Sequence, residues 1–112
     1  MQLPLDIAPK VGEALSSGAP VVALESTIIT HGLPKPRNLE VARGVARVVE
    51  MAGAVPAIIA VADGALKVGL EDDALEALAA ADDVMKLSRA DLAVALAAGK
   101  RGSTTVSATM IA

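Results

Sequence analysis

The chain has 112 residues, 54% of them hydrophobic, and a formal net charge of −3. That length holds one domain with a modest core, no apolar run nears the roughly 20 residues of a membrane span, and the acidic balance argues against nucleic acid as a partner. Without cysteine there is no disulfide or thiolate metal site, and without Phe, Tyr or Trp there is no ring to stack on a base. The amino-terminal Met1-Gln-Leu-Pro-Leu-Asp6 lacks the charged start and long apolar core of a signal peptide. The expectation is a soluble cytoplasmic protein, with no membrane partner.

In chain order, Asp6 and Pro9 predict a helix start, because proline is tolerated in the first turn; the helix runs to about Ser16, with Gly18 just past its end. Val21 to Ile29 reads as a buried strand. His31 to Arg37, with a glycine and two prolines, is a loop, and Asn38 is placed to cap the next helix. Leu39, Ala42, Val45, Ala46, Val49 and Ala52 mark one face of that helix, which Gly53 ends. Ala54 to Val61 is a second, almost wholly apolar strand. Asp63-Gly64 is a turn signal, and Ala65 to Val68 is a short strand after it. Asp72 to Ala80 predicts a helix with acids in its first turn. Val84 to Leu87 is a further strand, and Ser88-Arg-Ala-Asp91 resembles a capping box opening a helix that ends near Gly99. Residues 103 to 112 begin another strand or helix. The alternation predicts a layered α/β domain, without repeat or linker. The run Val106-Ser-Ala-Thr-Met-Ile-Ala112 has no stop signal, so the chain is expected to end inside a larger fold.

The polar residues gather in two places. Glu25 lies within the first strand, followed by Ser26, Thr27, Thr30 and His31. A carboxylate in an apolar setting suits a general acid; the alternative is a buried glutamate that is paired or caps backbone amides. His31 can serve as acid, base or metal ligand, or simply as a hydrogen-bonding loop residue. Lys86, at the end of a strand and beside a capped helix start, can hold a phosphate as a point charge or discourage edge pairing. Gly99-Lys-Arg-Gly-Ser-Thr-Thr-Val-Ser107 offers glycines, hydroxyls and free N–H groups to a phosphate. It can equally be a helix cap followed by a threonine-rich strand. Asp82-Asp83 reads as a solvated loop.

Pro20-Val-Val-Ala-Leu-Glu-Ser-Thr-Ile-Ile-Thr-His-Gly-Leu-Pro34 resembles the signature of the pseudouridine-5'-phosphate glycosidases, of the indigoidine synthase A family. Gly53 to Ala60, Lys67 to Leu70, Lys86 to Leu92 and Ala97 to Met110 fit the same family, in order and with its spacing. The resemblance implies a three-layer α/β/α arrangement around a mixed sheet, of which residues 1–112 form the amino-terminal segment, and an oligomeric protein. It implies reversible cleavage of the C–C glycosidic bond of pseudouridine 5'-phosphate to uracil and ribose 5-phosphate, a hydrolase or lyase reaction. In the family a lysine forms an imine with the opened ribose, a glutamate donates a proton, and manganese, Mn2+, helps organise the site. Carried over by motif, the proton donor is Glu25, a phosphate-binding lysine is Lys86, and a further substrate contact is Val106, through its backbone, beside Thr105. No motif here matches the nucleophilic lysine or the aspartate that holds the metal, so no metal ligand is expected in this chain. A complementing carboxy-terminal part is one implied partner. The alternatives are a non-catalytic sugar-phosphate-binding module and an inactive remnant.

Overall fold

The computed structural model describes residues 3–112. Met1 and Gln2, the start of the Met1–Asp6 stretch expected not to be a signal peptide, lie outside the described residues. The chain opens with strand β1 (Leu5–Ile7) and helix α1 (Pro9–Ser17), then β2 (Val21–Leu24), a π-helical turn (Ile28–Gly32) and α2 (Arg37–Met51). The hairpin of β3 (Val55–Ala62) and β4 (Ala65–Val68) follows, then α3 (Asp72–Ala80) and β5 (Met85–Leu87). A 3-10 turn (Arg89–Asp91), α4 (Leu92–Ala98), β6 (Gly102–Thr104) and α5 (Val106–Thr109) complete the described chain. Among the described residues, no helix is long and apolar enough to cross a membrane.

The six strands form one mixed sheet in the order β1-β4-β3-β6-β5, with β2 also paired to β3. The long strand β3 organises it. One edge takes β4 antiparallel along Ile59 to Ala62. The other is shared: β2 runs parallel along Val55 to Ile58, and β6 runs antiparallel along Ala60 and Val61. Strands β2 and β6 therefore point at one another, and their carboxyl ends meet beside Ile59.

Alternation along β3 sends its side chains to two cores. Ala57, Ile59 and Val61 pack with Leu66, Val68 and Leu87 against Val11 of α1, Leu92 and Ala95 of α4 and Ala108 of α5. On the opposite face Ile58 packs with Ile29, Ala42 of α2, and Leu75 and Ala79 of α3. Helices thus cover both faces of the sheet, and the mixed α/β arrangement expected from the alternation is the one observed. With no aromatic residue available, aliphatic side chains fill the core and backbones approach closely. A Cβ on Gly102 would sit 2.2 Å from Leu87 Cδ1 and 2.7 Å from its Cγ, so this position tolerates only glycine.

Several expected elements are in place. Pro9 starts α1, and Gly18 closes it in the left-handed conformation at φ 76°. The Asp63-Gly64 turn joins β3 to β4, α3 spans Asp72–Ala80, and the Ser88–Asp91 capping box is formed. Residues 103 to 112 hold both the end of a strand and a short helix.

Other expectations are corrected. Asp6 does not start a helix: it sits in β1, opposite Lys67 of β4, and accepts a hydrogen bond from Lys67 Nζ at 2.6 Å. The strand predicted over Val21 to Ile29 stops at Leu24. It is also an edge strand, with Val22 and Ala23 exposed. Beyond it the Glu25 carboxylate captures local amides and turns the chain. Asn38 lies inside α2 and does not cap it. Its buried amide donates to Ile29 O at 3.0 Å and Ala79 O at 2.9 Å, joining α2 to the π-helical turn and the end of α3. The apolar face of α2 is only partly covered: Ala42 is buried, whereas Val45 stays exposed.

Candidate functional site at the meeting of three strand ends

The edge of β3 is broken at Ile59, where β2 has ended and β6 has not begun. A carbonyl at such a break would be left unpaired inside the protein at a cost of about 1–3 kcal/mol. Ile59 O instead accepts from Ser26 Oγ at 2.6 Å and from Thr104 Oγ1 at 2.9 Å. Ser26 N donates to Thr104 O at 3.0 Å, and Thr104 N donates to Ser26 Oγ at 2.8 Å. Thr104 Oγ1 also lies 2.9 Å from Thr109 Oγ1. Ser26 and Thr104 are both fully buried. Two sequence regions 78 residues apart are thereby fixed side by side.

This junction positions the expected site residues. Glu25 precedes Ser26, and Thr105 and Val106 follow Thr104. Lys86 lies opposite Ser103 in the β5–β6 register, and Leu87 O accepts from Thr105 N at 2.9 Å. Because β5 runs parallel to β6, the carboxyl ends of β2, β5 and β6 converge, and Glu25, Lys86, Thr105 and Val106 stand around them. Strand carboxyl ends are where open α/β sheets place their ligands.

Glu25 is half-buried, not enclosed in a strand as expected. Its Oε2 accepts from Thr27 N at 2.9 Å, and its Oε1 has a longer 3.4 Å contact with Ile28 N. It therefore caps the backbone of the turn, the alternative that its sequence position left open, while Oε1 remains only loosely engaged. Thr27 Oγ1 next to it is buried with no hydrogen-bond partner among the described residues. Lys86 is exposed on the edge strand β5. Thr105 precedes the first residue of α5, its Oγ1 lying 3.2 Å from Ser107 Oγ. Val106 opens that helix with an exposed side chain, at a position whose backbone N–H has no intrahelical acceptor.

Gly99 and Gly102 each have a backbone role, as the helix-cap alternative expects. Gly99 is the left-handed cap of α4, and Gly102 lets β6 close on Leu87. Asp82 is solvated as expected and also pairs with Lys35 at 2.5 Å. Among the described residues, no group of three or more His, Asp or Glu is arranged to hold a metal ion. The described residues do not build a manganese site. Two concavities of about 370 and 910 Å³ are lined by neither Glu25, Lys86, Thr105 nor Val106. The long-range partners of the rim, Ser26 with Thr104 and Thr30 with Ser103, carried no signal in the sequence beyond being hydroxyls.

Residues 10–112 match the family model described as indigoidine synthase A like protein, and the chain belongs to that family. It is 62% identical over 107 residues to a pseudouridine-5'-phosphate glycosidase of Methylobacterium nodulans, and 61% identical over 111 residues to one of Jannaschia sp.. Those alignments cover 96% and 99% of this chain but 32% and 37% of the relatives. The chain thus spans about a third of the length of the relatives it matches. Among solved structures, the prealnumycin C-glycosynthase AlnA, determined in complex with ribulose 5-phosphate, superposes with a TM-score of 0.85 at 39% identity. That match covers 99% of this chain and 35% of AlnA. An indigoidine synthase A-like protein from Thermotoga maritima superposes with a TM-score of 0.82 at 28% identity, covering 97% of this chain and 35% of its own.

Proposed function

We propose that this chain is the amino-terminal segment of a pseudouridine-5'-phosphate glycosidase domain, carrying its proton donor and part of its phosphate contact. The observation behind this reading is the convergence of three strand ends at Ile59, which brings together Glu25, Lys86, Thr105 and Val106 from motifs up to 81 residues apart. The reaction is the reversible cleavage of the C–C bond of pseudouridine 5'-phosphate to uracil and ribose 5-phosphate.

Each residue has a task that its surroundings suit. Thr27 N anchors Glu25 through Oε2, so the proton to be donated resides on Oε1, the less engaged oxygen. Lys86 supplies a flexible positive charge to the substrate phosphate. Thr105 Oγ1 and the free N–H of Val106 offer neutral donors to the same ligand. The nucleophile and the metal ligand of the family are assigned to the remaining part of the family's domain, and with it the enclosure that keeps water from the reacting centre.

The test is synthesis from uracil and ribose 5-phosphate in the presence of manganese. The chain is assayed alone and mixed with a polypeptide covering the remaining two-thirds of the Methylobacterium nodulans relative. The expected result is no turnover alone and turnover in the mixture, reduced about 100-fold by Glu25→Gln. A mixture that associates without turning over, or whose turnover is indifferent to Glu25→Gln, overturns the assignment. Should ribose 5-phosphate bind to an associated but inactive mixture, the non-catalytic sugar-phosphate module becomes the better reading.

A further inference from the structure

His31 has no role in the reaction as read above, yet it joins the rim through a directed chain of hydrogen bonds. Ser103 Oγ donates to Met85 O at 3.4 Å, and Thr30 Oγ1 donates to Ser103 Oγ at 2.6 Å. Ser103 Oγ lies equally far, 3.4 Å, from His31 Nδ1, so the direction of the chain rests on the shorter bond from Thr30. The one proton of Thr30 is spent on Ser103. With that proton on Ser103, the imidazole Nδ1, 2.6 Å from Thr30 Oγ1, donates in that contact as the Nδ1–H tautomer. A neutral imidazole has a single N–H, so the other nitrogen, Nε2, carries a lone pair, and the residue is exposed to solvent.

Ser103 is also the register partner of Lys86. Residues paired across neighbouring strands present their side chains on the same face of the sheet, about 5 Å apart. His31 and Lys86 therefore flank Ser103 on one face, the first rooted in the π-helical turn and the second in the edge strand. We propose that His31 and Lys86 form two sides of a single subsite for a phosphate monoester, with His31 Nε2 sharing a proton with a phosphate oxygen while Lys86 offsets its charge. The proton is the one carried by the phosphate monoanion, so nothing else is consumed. Thr30 and Ser103 act as positioning residues that set the tautomer of the ring. The inference rests on the reading of this chain as part of a sugar-phosphate enzyme, and adds a ligand contact that the motif correspondence does not supply.

Because His31 is the only histidine, its ring nitrogens can be followed by NMR without assignment in the uniformly labelled chain. Inorganic phosphate and then ribose 5-phosphate are titrated in. The expected result is a saturable shift of His31 Nε2, with the affinity for either anion falling about tenfold in His31→Gln and in Lys86→Ala. Ser103→Ala is expected to change the ring-nitrogen pattern before any anion is added and to weaken binding while Lys86 is intact. If phosphate moves the amides of Thr105 to Ser107 with an affinity that depends on Lys86, but leaves the His31 ring unmoved, the inference falls and the broader reading stands. If neither anion moves any resonance, the inference falls together with phosphate recognition by this chain.

Discussion

Two hydrogen-bonded ties hold distant parts of this molecule together, and they differ in kind. At the break in β3, Ser26 and Thr104 make neutral bonds inside the protein, closing a separation of 78 residues. Between α2 and α3, Arg43 makes a two-pronged bond to Asp72, with Nε to Oδ1 at 3.0 Å and Nη2 to Oδ2 at 2.6 Å, and reaches Glu76 Oε1 at 2.5 Å. The ionic tie has the shorter contacts and the full charges, yet its groups stand in water, which solvates them almost as well when the tie is open. The junction groups have no water to return to, so losing one partner leaves the other exposed to the full cost of desolvation. Distance and charge rank these ties one way; burial ranks them the other.

The largest expected effect comes from the backbone that presents Thr104. Gly102→Ala forces a Cβ into Leu87 and is predicted to lower stability by about 3 kcal/mol or more, measured by urea denaturation. A loss under 1 kcal/mol would mean that β6 can move, and with it the junction. Next, Ser26→Ala removes the acceptor of Thr104 N while Thr104 still serves Ile59 O. The expected loss is about 1–2 kcal/mol, and the double variant with Thr104→Val should depart from additivity because the two side chains share one network. Strict additivity would dissolve the junction as a unit. The smallest effect belongs to Arg43→Ala, a minor and salt-sensitive loss. Here pH sharpens the contrast. Bonds from Arg43 hold the Asp72 carboxyl below its ordinary value of 3.8. The folded state thus binds that proton more weakly than the unfolded one: the stabilisation is present above about pH 4 and lost as pH falls through the lower folded value. The acid-unfolding profile of Arg43→Ala should lose that component, and Ser26→Ala should keep it.

Local chemistry made much of this legible. Pro9, Gly18, Asp63-Gly64 and the Ser88–Asp91 box act within a turn of themselves, and each did what its sequence context predicts. The errors lie where a distant or side-chain partner decides. Asp6 looks like a helix start until Lys67 stands opposite it in a strand. Asn38 looks like a cap until it is found bridging two carbonyls, one of them 41 residues away. Ile28 and Ile29 favour a strand by composition, but the Glu25 carboxylate binds Thr27 N and the chain turns into a π-helical segment. The site shows the same division. Glu25 and Lys86 were visible as charges at strand ends, whereas Ser26, Thr30 and Ser103 matter through partners more than 70 residues away.

The break in β3 also bears on the order in which the molecule assembles. Bringing together ends 78 residues apart costs about 4 kcal/mol of loop-closure entropy in a flexible chain, before any bond is made. The β3–β4 hairpin closes over two residues and faces no such barrier. The hairpin over residues 55–68 is therefore expected to form before the Ser26–Thr104 junction, an order that pulsed hydrogen exchange checks, and the rim that gathers Glu25, Lys86 and Thr105 cannot close before residue 104 is in place.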